Sequence, residues 1–185
     1  MSNKKCAIFF ADGLEEIEGL TVVDMLRRAE VDIDIVSVSG SKAITGSHKI
    51  RIEADRLFEE IDPLGYDMLI LPGGMPGTKN LTEHAALGAA LKDATAEGRY
   101  LAAICAAPSV LGQLGLLEGK HATSYPGWDA KMPGCIYETQ SVVTDGNITT
   151  SRGMGTALAF AARLADILKG EGTGQKLLDS VMYPI

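Results

Sequence analysis

The sequence predicts an α/β protein with a mostly parallel, doubly wound sheet covered by helices on both faces. Three observations carry that expectation. Apolar runs of strand length alternate with longer stretches of helical period along most of the 185 residues. The runs are mostly apolar throughout rather than alternating, as in strands buried on both faces. Several stop at glycine, proline or small residues, where such sheets turn from strand into helix. The length suits one buried core rather than two, so a single domain over residues 1–185 is expected.

The elements follow in order. Residues 6–10 form a buried strand, 15–28 a helix, and 31–38 a half-covered strand. Residues 44–53 read as a hairpin turning at Gly46 and Ser47, and 67–71 as a buried strand stopped by Pro72, Gly73 and Gly74. Thr82 is placed to cap a helix whose Leu87, Leu91 and Ala94 share one face, with Gly98 beyond its end. Residues 101–104 are the next strand, and 107–114 the helix after it. Asp145-Gly146 between Val142 and Ile148 is a tight-hairpin signal. Residues 153–169 make a strongly apolar helix, and 175–182 a short last one.

Composition narrows the function. With 46% hydrophobic and 22% charged residues the chain has an ordinary globular composition. A net charge of -7 with no Lys or Arg run longer than two argues against nucleic acid. No segment approaches the roughly 18 apolar residues of a membrane span, and the apolar stretch at 6–11 is too short for a signal-peptide core. Cys6, Cys105 and Cys135 fit neither a disulfide framework nor zinc spacing, and His48, His84 and His121 form no ligand pair. A reducing cytoplasm, no metal and no cofactor are expected.

Chemistry concentrates at three strand ends. Cys105 directly follows a buried strand, among small residues, with Pro108 at the start of the next helix. Small neighbours allow a nucleophile to sit on a sharp turn, and a helix N-terminus favours thiolate over thiol. Without those surroundings, an isolated cysteine is a small core residue. The loop from Pro72 to Gly77 exposes backbone amides, so Gly74 could join Ala106 as an oxyanion donor, or the loop could simply be a tight turn. In the first helix Glu18 shares a stripe with Val22, Met25, Leu26 and Ala29, which puts a carboxylate at a core position. A desolvated carboxyl keeps its proton and can then donate a hydrogen bond to a neighbouring thiolate. Glu15 and Glu16 are accounted for by the helix dipole alone. Ile17, Leu20 and Val23 make a second apolar strip on that helix, which calls for a second subunit. Cys6 reads as core, Cys135 as a loop thiol open to oxidation, and His84 and His121 as surface residues. Tyr125 and Trp128 flank a loop that either walls the pocket or simply packs.

These motifs together, with Leu71-Pro72-Gly73-Gly74, residues 13–18 and Thr150-Ser151-Arg152-Gly153, resemble the DJ-one branch of the ThiJ/PfpI superfamily from about residue 4 to 183. The resemblance implies a flavodoxin-like sandwich and a homodimer. It makes Cys105 the reactive cysteine, Glu18 the protonated acid beside it, Gly74 and Ala106 the backbone donors, and Gly73, Tyr125 and Arg152 pocket residues. Two departures stand out. Peptidase-like members carry His directly after the cysteine, where this chain has Ala106, which counts against a cysteine peptidase. The branch commonly has His where this chain has Tyr125, so Glu18 alone would move the proton.

The expected activity is cofactor-independent conversion of small 2-oxoaldehydes such as methylglyoxal to hydroxy acids, resembling glyoxalase III, with early glycation adducts as related deglycase-type substrates. The alternative is a redox sensor or chaperone using the same oxidisable thiol. A flavin-binding flavodoxin ranks below both, since the first loop lacks a hydroxyl-rich phosphate cradle.

Overall fold

The apolar runs assemble side by side in a single sheet. The computed structural model describes residues 4–183. Strand β1 (Lys5–Phe10) leads into helix α1 (Glu16–Arg28) and strand β2 (Asp32–Ser37). A hairpin of β3 (Ala43–Thr45) and β4 (Arg51–Glu53) follows, then the short β5 (Arg56–Leu57) and β6 (Met68–Leu71). Helices α2 (Gly77–Glu83) and α3 (Ala85–Ala96) lead to β7 (Tyr100–Ile104) and α4 (Pro108–Gln113). Strands β8 (His121–Ala122) and β9 (Ile136–Tyr137) pair apart from the main sheet. Strands β10 (Val142–Asp145) and β11 (Ile148–Ser151) precede α5 (Ala157–Lys169) and α6 (Thr173–Ser180).

The main sheet has seven strands in the order β10-β11-β7-β6-β1-β2-β5. All its pairs are parallel except β10 with β11, the hairpin announced by Asp145-Gly146. Alternate residues of β1 serve opposite faces. Ile8 and Phe10 pack with Val22, Leu26, Phe160 and Leu164 from α1 and α5. Ala7 and Phe9 pack with Leu87, Leu91 and Leu111 from α3 and α4. The fold is the flavodoxin-like α/β sandwich, and parallel β1, β6 and β7 bring residues 11, 72 and 105 to the same sheet edge.

Several boundaries differ from expectation for local reasons. Thr82 does not cap a helix: its hydroxyl donates to Thr78 O at 2.8 Å inside α2, a helix the sequence reading missed. His84 takes the capping role, its Nδ1 accepting from Leu87 N at 3.0 Å, and its ring meets Phe58 edge-on. It is half-buried rather than a plain surface residue. The last long helix starts at Ala157, because Gly153 is extended and Met154–Thr156 forms a 3-10 turn. The hairpin loop spans 46–50, longer than a two-residue turn. Val23 lies in the core at 5% exposure, so the second strip on α1 reduces to Ile17 and Leu20. No helix among the described residues is long and apolar enough to cross a membrane.

Candidate active site

The site grows from three loops at the carboxyl edge of β1, β6 and β7. Cys105 directly follows β7 with φ +66°, a left-handed backbone that a non-glycine residue holds at roughly 1–3 kcal/mol. Neighbouring segments pin it there. Cys105 N donates to Ser151 O at 3.0 Å, and Tyr125 N donates to Cys105 O at 2.8 Å. This is the sharp strand-to-helix turn that the small residues around the cysteine imply.

Glu18 comes from the first turns of α1 and is 1% exposed. Gly73 N donates to its Oε2 at 3.0 Å, and its carboxyl is also hydrogen-bonded to the Cys105 thiol and the Met154 amide. Gly73 cannot carry a side chain, since a Cβ would lie 2.6 Å from Cys105 Cβ and 2.7 Å from Glu18 Oε2. The amides of Ala106 and Gly74 both reach the sulfur. Gly74 holds φ +91°, and a Cβ there would strike Glu15 N at 2.2 Å. Expected thiol, acid and two amides therefore meet at one point. The Met154 amide was missed, because it belongs to a turn that reads in sequence as helix.

Electrostatics couple the acid and the thiol. Burial pushes Glu18 up to about 7, against the hydrogen bonds from Cys105 and Gly73 that hold it down. Burial also pushes Cys105 up to about 12, with the negative charge of Glu18 next in weight, while the Ala106 and Gly74 amides pull it down. That second influence exists only while Glu18 is ionised. A protonated Glu18 donates to the sulfur, and the same contact then favours thiolate. Two negative charges cannot share this site, so the pair keeps at least one proton around neutrality. The helix end does not by itself make a thiolate here. Helix α4 is only six residues long, and desolvation of the thiol outweighs it.

Tyr125 stands at the rim, 52% exposed, with a Cβ placed on Gly153 only 3.4 Å from its ring. Arg152, expected in the pocket, donates from Nη1 to Thr139 O at 2.9 Å and makes no hydrogen bond to Glu18 or Cys105. Cys6 is fully buried in the core, and Cys135 is half-buried; burial raises both thiols. Trp128 is half-buried with the Lys131 ammonium 4.1 Å above its ring.

Glu16 is not merely a dipole partner. It is 2% exposed, accepts from His48 N at 2.8 Å and meets His48 Nδ1 at 2.8 Å, which ties the 46–50 loop to α1. Although burial acts to raise it, the His48 side chain and nearby backbone hold Glu16 down to about 2. Glu15, Glu16 and His48 bring candidate metal-ligand atoms within 4.8 Å of one another, but Glu16 and His48 already bond each other there.

An α/β sandwich with a strained cysteine turn, a buried carboxyl on the sulfur and two convergent amides defines a cysteine-centred member of the flavodoxin-like class. The DJ-1/PfpI family model matches residues 4–167, and the chain belongs to that family. It is 39% identical over 172 residues to DJ-1 homolog B of Arabidopsis thaliana, covering 92% of this chain and 39% of that longer protein. It is 34% identical over 165 residues to a protein of Pyrococcus abyssi named as a deglycase, covering 88% of this chain and 98% of that one. Its fold superposes on the oxidised DJ-1 of Toxoplasma gondii with a TM-score of 0.94 at 33% identity, over 98% of this chain and 100% of that one.

Proposed function

We propose that this protein converts small 2-oxoaldehydes such as methylglyoxal to 2-hydroxy acids, without metal or cofactor. The observation that carries the reading is the Glu18 carboxyl on the Cys105 sulfur, opposite the Gly74 and Ala106 amides. The Cys105 thiolate attacks the aldehyde carbon, and the carbonyl electrons move to oxygen, held by the two amides. Glu18 protonates that oxygen, giving a hemithioacetal and leaving a carboxylate. The carboxylate takes the proton from the former aldehyde carbon and returns it to the neighbouring carbon, while the hydroxyl proton passes to the neighbouring oxygen as the first carbon becomes the thioester carbonyl. The product is the thioester of a hydroxy acid. Water cleaves it and restores the thiol, so the net change is addition of one water with no external oxidant. Glycation adducts on amino groups are related substrates, a reading supported by the Pyrococcus relative's name. The test is methylglyoxal consumption by pure protein, compared with Cys105→Ser. Equal rates would overturn the reading.

A second reading rests on the oxidised Toxoplasma neighbour: Cys105 as a redox-sensing or chaperone-linked thiol, oxidised by two equivalents of a peroxide, through the sulfenic acid, to a sulfinic acid that accepts from Glu18 and the amides. Three free thiols suit a reducing, cytoplasmic compartment. We also propose a homodimer through α1, where Ile17 is 51% and Leu20 38% exposed, joined by the exposed Ile50 of the loop that Glu16 holds. Sedimentation of the wild type as a dimer and of Leu20→Glu as a monomer is the expected outcome.

A further inference from the structure

The turn after β11 brings the Met154 amide to Glu18, and little packing holds it there. Met154 is 52% exposed, and a Cβ placed on Gly155 would meet nothing within 4 Å, so the outer side of the turn is open. Its inner side lies against the acid. A Cβ placed on Gly153 would come 3.8 Å from Glu18 Oε1, the carboxyl oxygen that Gly73 N leaves free by donating to Oε2. A single 3-10 turn closes on one backbone bond, here from Thr156 N to Gly153 O at 2.8 Å. A turn with so few buried contacts opens easily unless side chains close it.

Thr156 closes this one. Its hydroxyl accepts from Gly153 N at 3.1 Å, lies 2.9 Å from Gly153 O and stands 2.7 Å from Ser151 Oγ. Ser151 Oγ donates to Ser141 O at 2.7 Å, just ahead of β10, which ties the pair of hydroxyls to the sheet. Ser151 is fully buried, and its carbonyl accepts from Cys105 N at 3.0 Å. One residue of β11 thus steadies the cysteine with its backbone. With its side chain, through Thr156, it steadies the turn that serves the acid.

We propose that Thr156, backed by Ser151, is a positioning residue of the reaction, holding the turn so that the Met154 amide stays aimed at the Glu18 carboxyl. An N–H donor bonds a carboxylate more strongly than a neutral acid. The amide therefore favours the form that Glu18 takes once it has protonated the substrate oxygen, and it fixes the carboxyl from the side opposite Gly73. The ionisable groups that act on Glu18 are Cys105 and Glu15. Thr156 and Ser151 carry no charge, so substituting them leaves both of those influences in place. The effect on turnover rests on the oxoaldehyde reading; the effect on Glu18 does not.

Thr156→Val keeps the shape and deletes the hydroxyl, and Thr156→Ser keeps the hydroxyl. In Thr156→Val, kcat for methylglyoxal should fall about tenfold with KM little changed, the lower end for a lost hydrogen bond to a charged group. Glu18 itself is read without substrate, by infrared difference spectra across pH, from the protonated-carboxyl band that Glu18→Gln lacks. In Thr156→Val it should bind its proton about tenfold more tightly, which moves the band's titration to higher pH. Thr156→Ser should restore both kcat and the titration. Ser151→Ala leaves the Gly153 clamp in place, so both should move the same way by less, and it serves where Thr156→Val does not fold. A Glu18 titration unmoved in folded Thr156→Val, or in Ser151→Ala where that variant alone folds, overturns the proposal whatever kcat does. A Thr156→Ser no better than Thr156→Val also overturns it, since packing and not the hydroxyl would then be at work. A moved titration in a protein that turns over no oxoaldehyde supports the positioning role and overturns the oxoaldehyde chemistry.

Discussion

Glu18 and Cys105 meet across the missing side chain of Gly73. The space a Cβ would fill at residue 73 is bounded by Cys105 Cβ at 2.6 Å and Glu18 Oε2 at 2.7 Å, and the Gly73 amide donates to that same oxygen at 3.0 Å. A single glycine thus sets both the separation of acid from sulfur and one of the hydrogen bonds that orient the acid. The third atom crowding that space is Ile104 O at 2.9 Å, a backbone atom of the strand end, so the loop has little freedom to retreat.

Gly73→Ala should therefore disable the site. Backbone and Cβ atoms cannot rotate away, so the 72–74 loop must shift and take the Gly73 and Gly74 amides with it. Turnover of methylglyoxal is expected to fall by about 10²-fold or more, the scale of one lost oxyanion donor. Iodoacetamide labelling at pH 6, read peptide by peptide, gives an independent view. In the wild type Cys105 should label before Cys6, which is fully buried, and before Cys135. In Gly73→Ala that preference should shrink. An unchanged labelling order with full turnover would mean that the loop yields without consequence.

Glu18→Gln separates proton transfer from hydrogen bonding. The amide still donates to the thiolate but exchanges no proton. Turnover should fall by about 10²-fold or more while the thiolate still forms. Glu18→Ala also removes the donor, so the thiolate absorbance should appear only at higher pH. Tyr125→Phe should cost little, because Tyr125 lies at the exposed rim and a phenol is a poor base near neutrality. An inactive Tyr125→Phe beside a nearly normal Glu18→Gln would put the proton on the wrong residue.

What the sequence made legible follows from which signals are local. Cys105 stood out because a strand, small neighbours and Pro108 are contiguous, and Glu18 because its stripe-mates Val22, Met25 and Leu26 are all buried in α1. The partners of Glu16 were hidden, since His48 reaches it from a loop 32 positions away. Strands β5, β8 and β9 are two residues each, too short to leave a hydrophobic period. Thr82 and His84 both suit a cap. The choice between them depends on α2 having already enrolled Thr82, and α2 begins at Gly77, at the end of a loop that reads in sequence as an oxyanion loop or a tight turn. Val23 reads as part of the second apolar strip because a helical wheel does not show that the core reaches it while Ile17 and Leu20 stay exposed.

The raised proton affinity of Glu18 has a consequence for stability that needs no substrate. Burial lifts its native value to about 7, against an ordinary value of 4.5. Between those values the native state binds the proton more tightly than the unfolded chain does. Stability must then fall as pH rises from about 4.5 to 7, and the penalty stays above that window. At most it amounts to on the order of 3 kcal/mol, and sharing of the proton with Cys105 makes it smaller. Glu18→Gln carries no titrating group, so the melting temperatures of the two proteins should converge at pH 4.5. At pH 8 the variant should be the more stable by several degrees. Glu16 acts in the opposite sense. It is held down to about 2, so its contribution is complete above pH 4.5 and is lost only as pH falls toward 2. Melting curves collected from pH 4.5 to 8 therefore isolate Glu18 from Glu16. A wild type that gains stability over that range relative to Glu18→Gln would mean that the acid enters the fold ionised, and the proton shared with Cys105 would have to come from elsewhere.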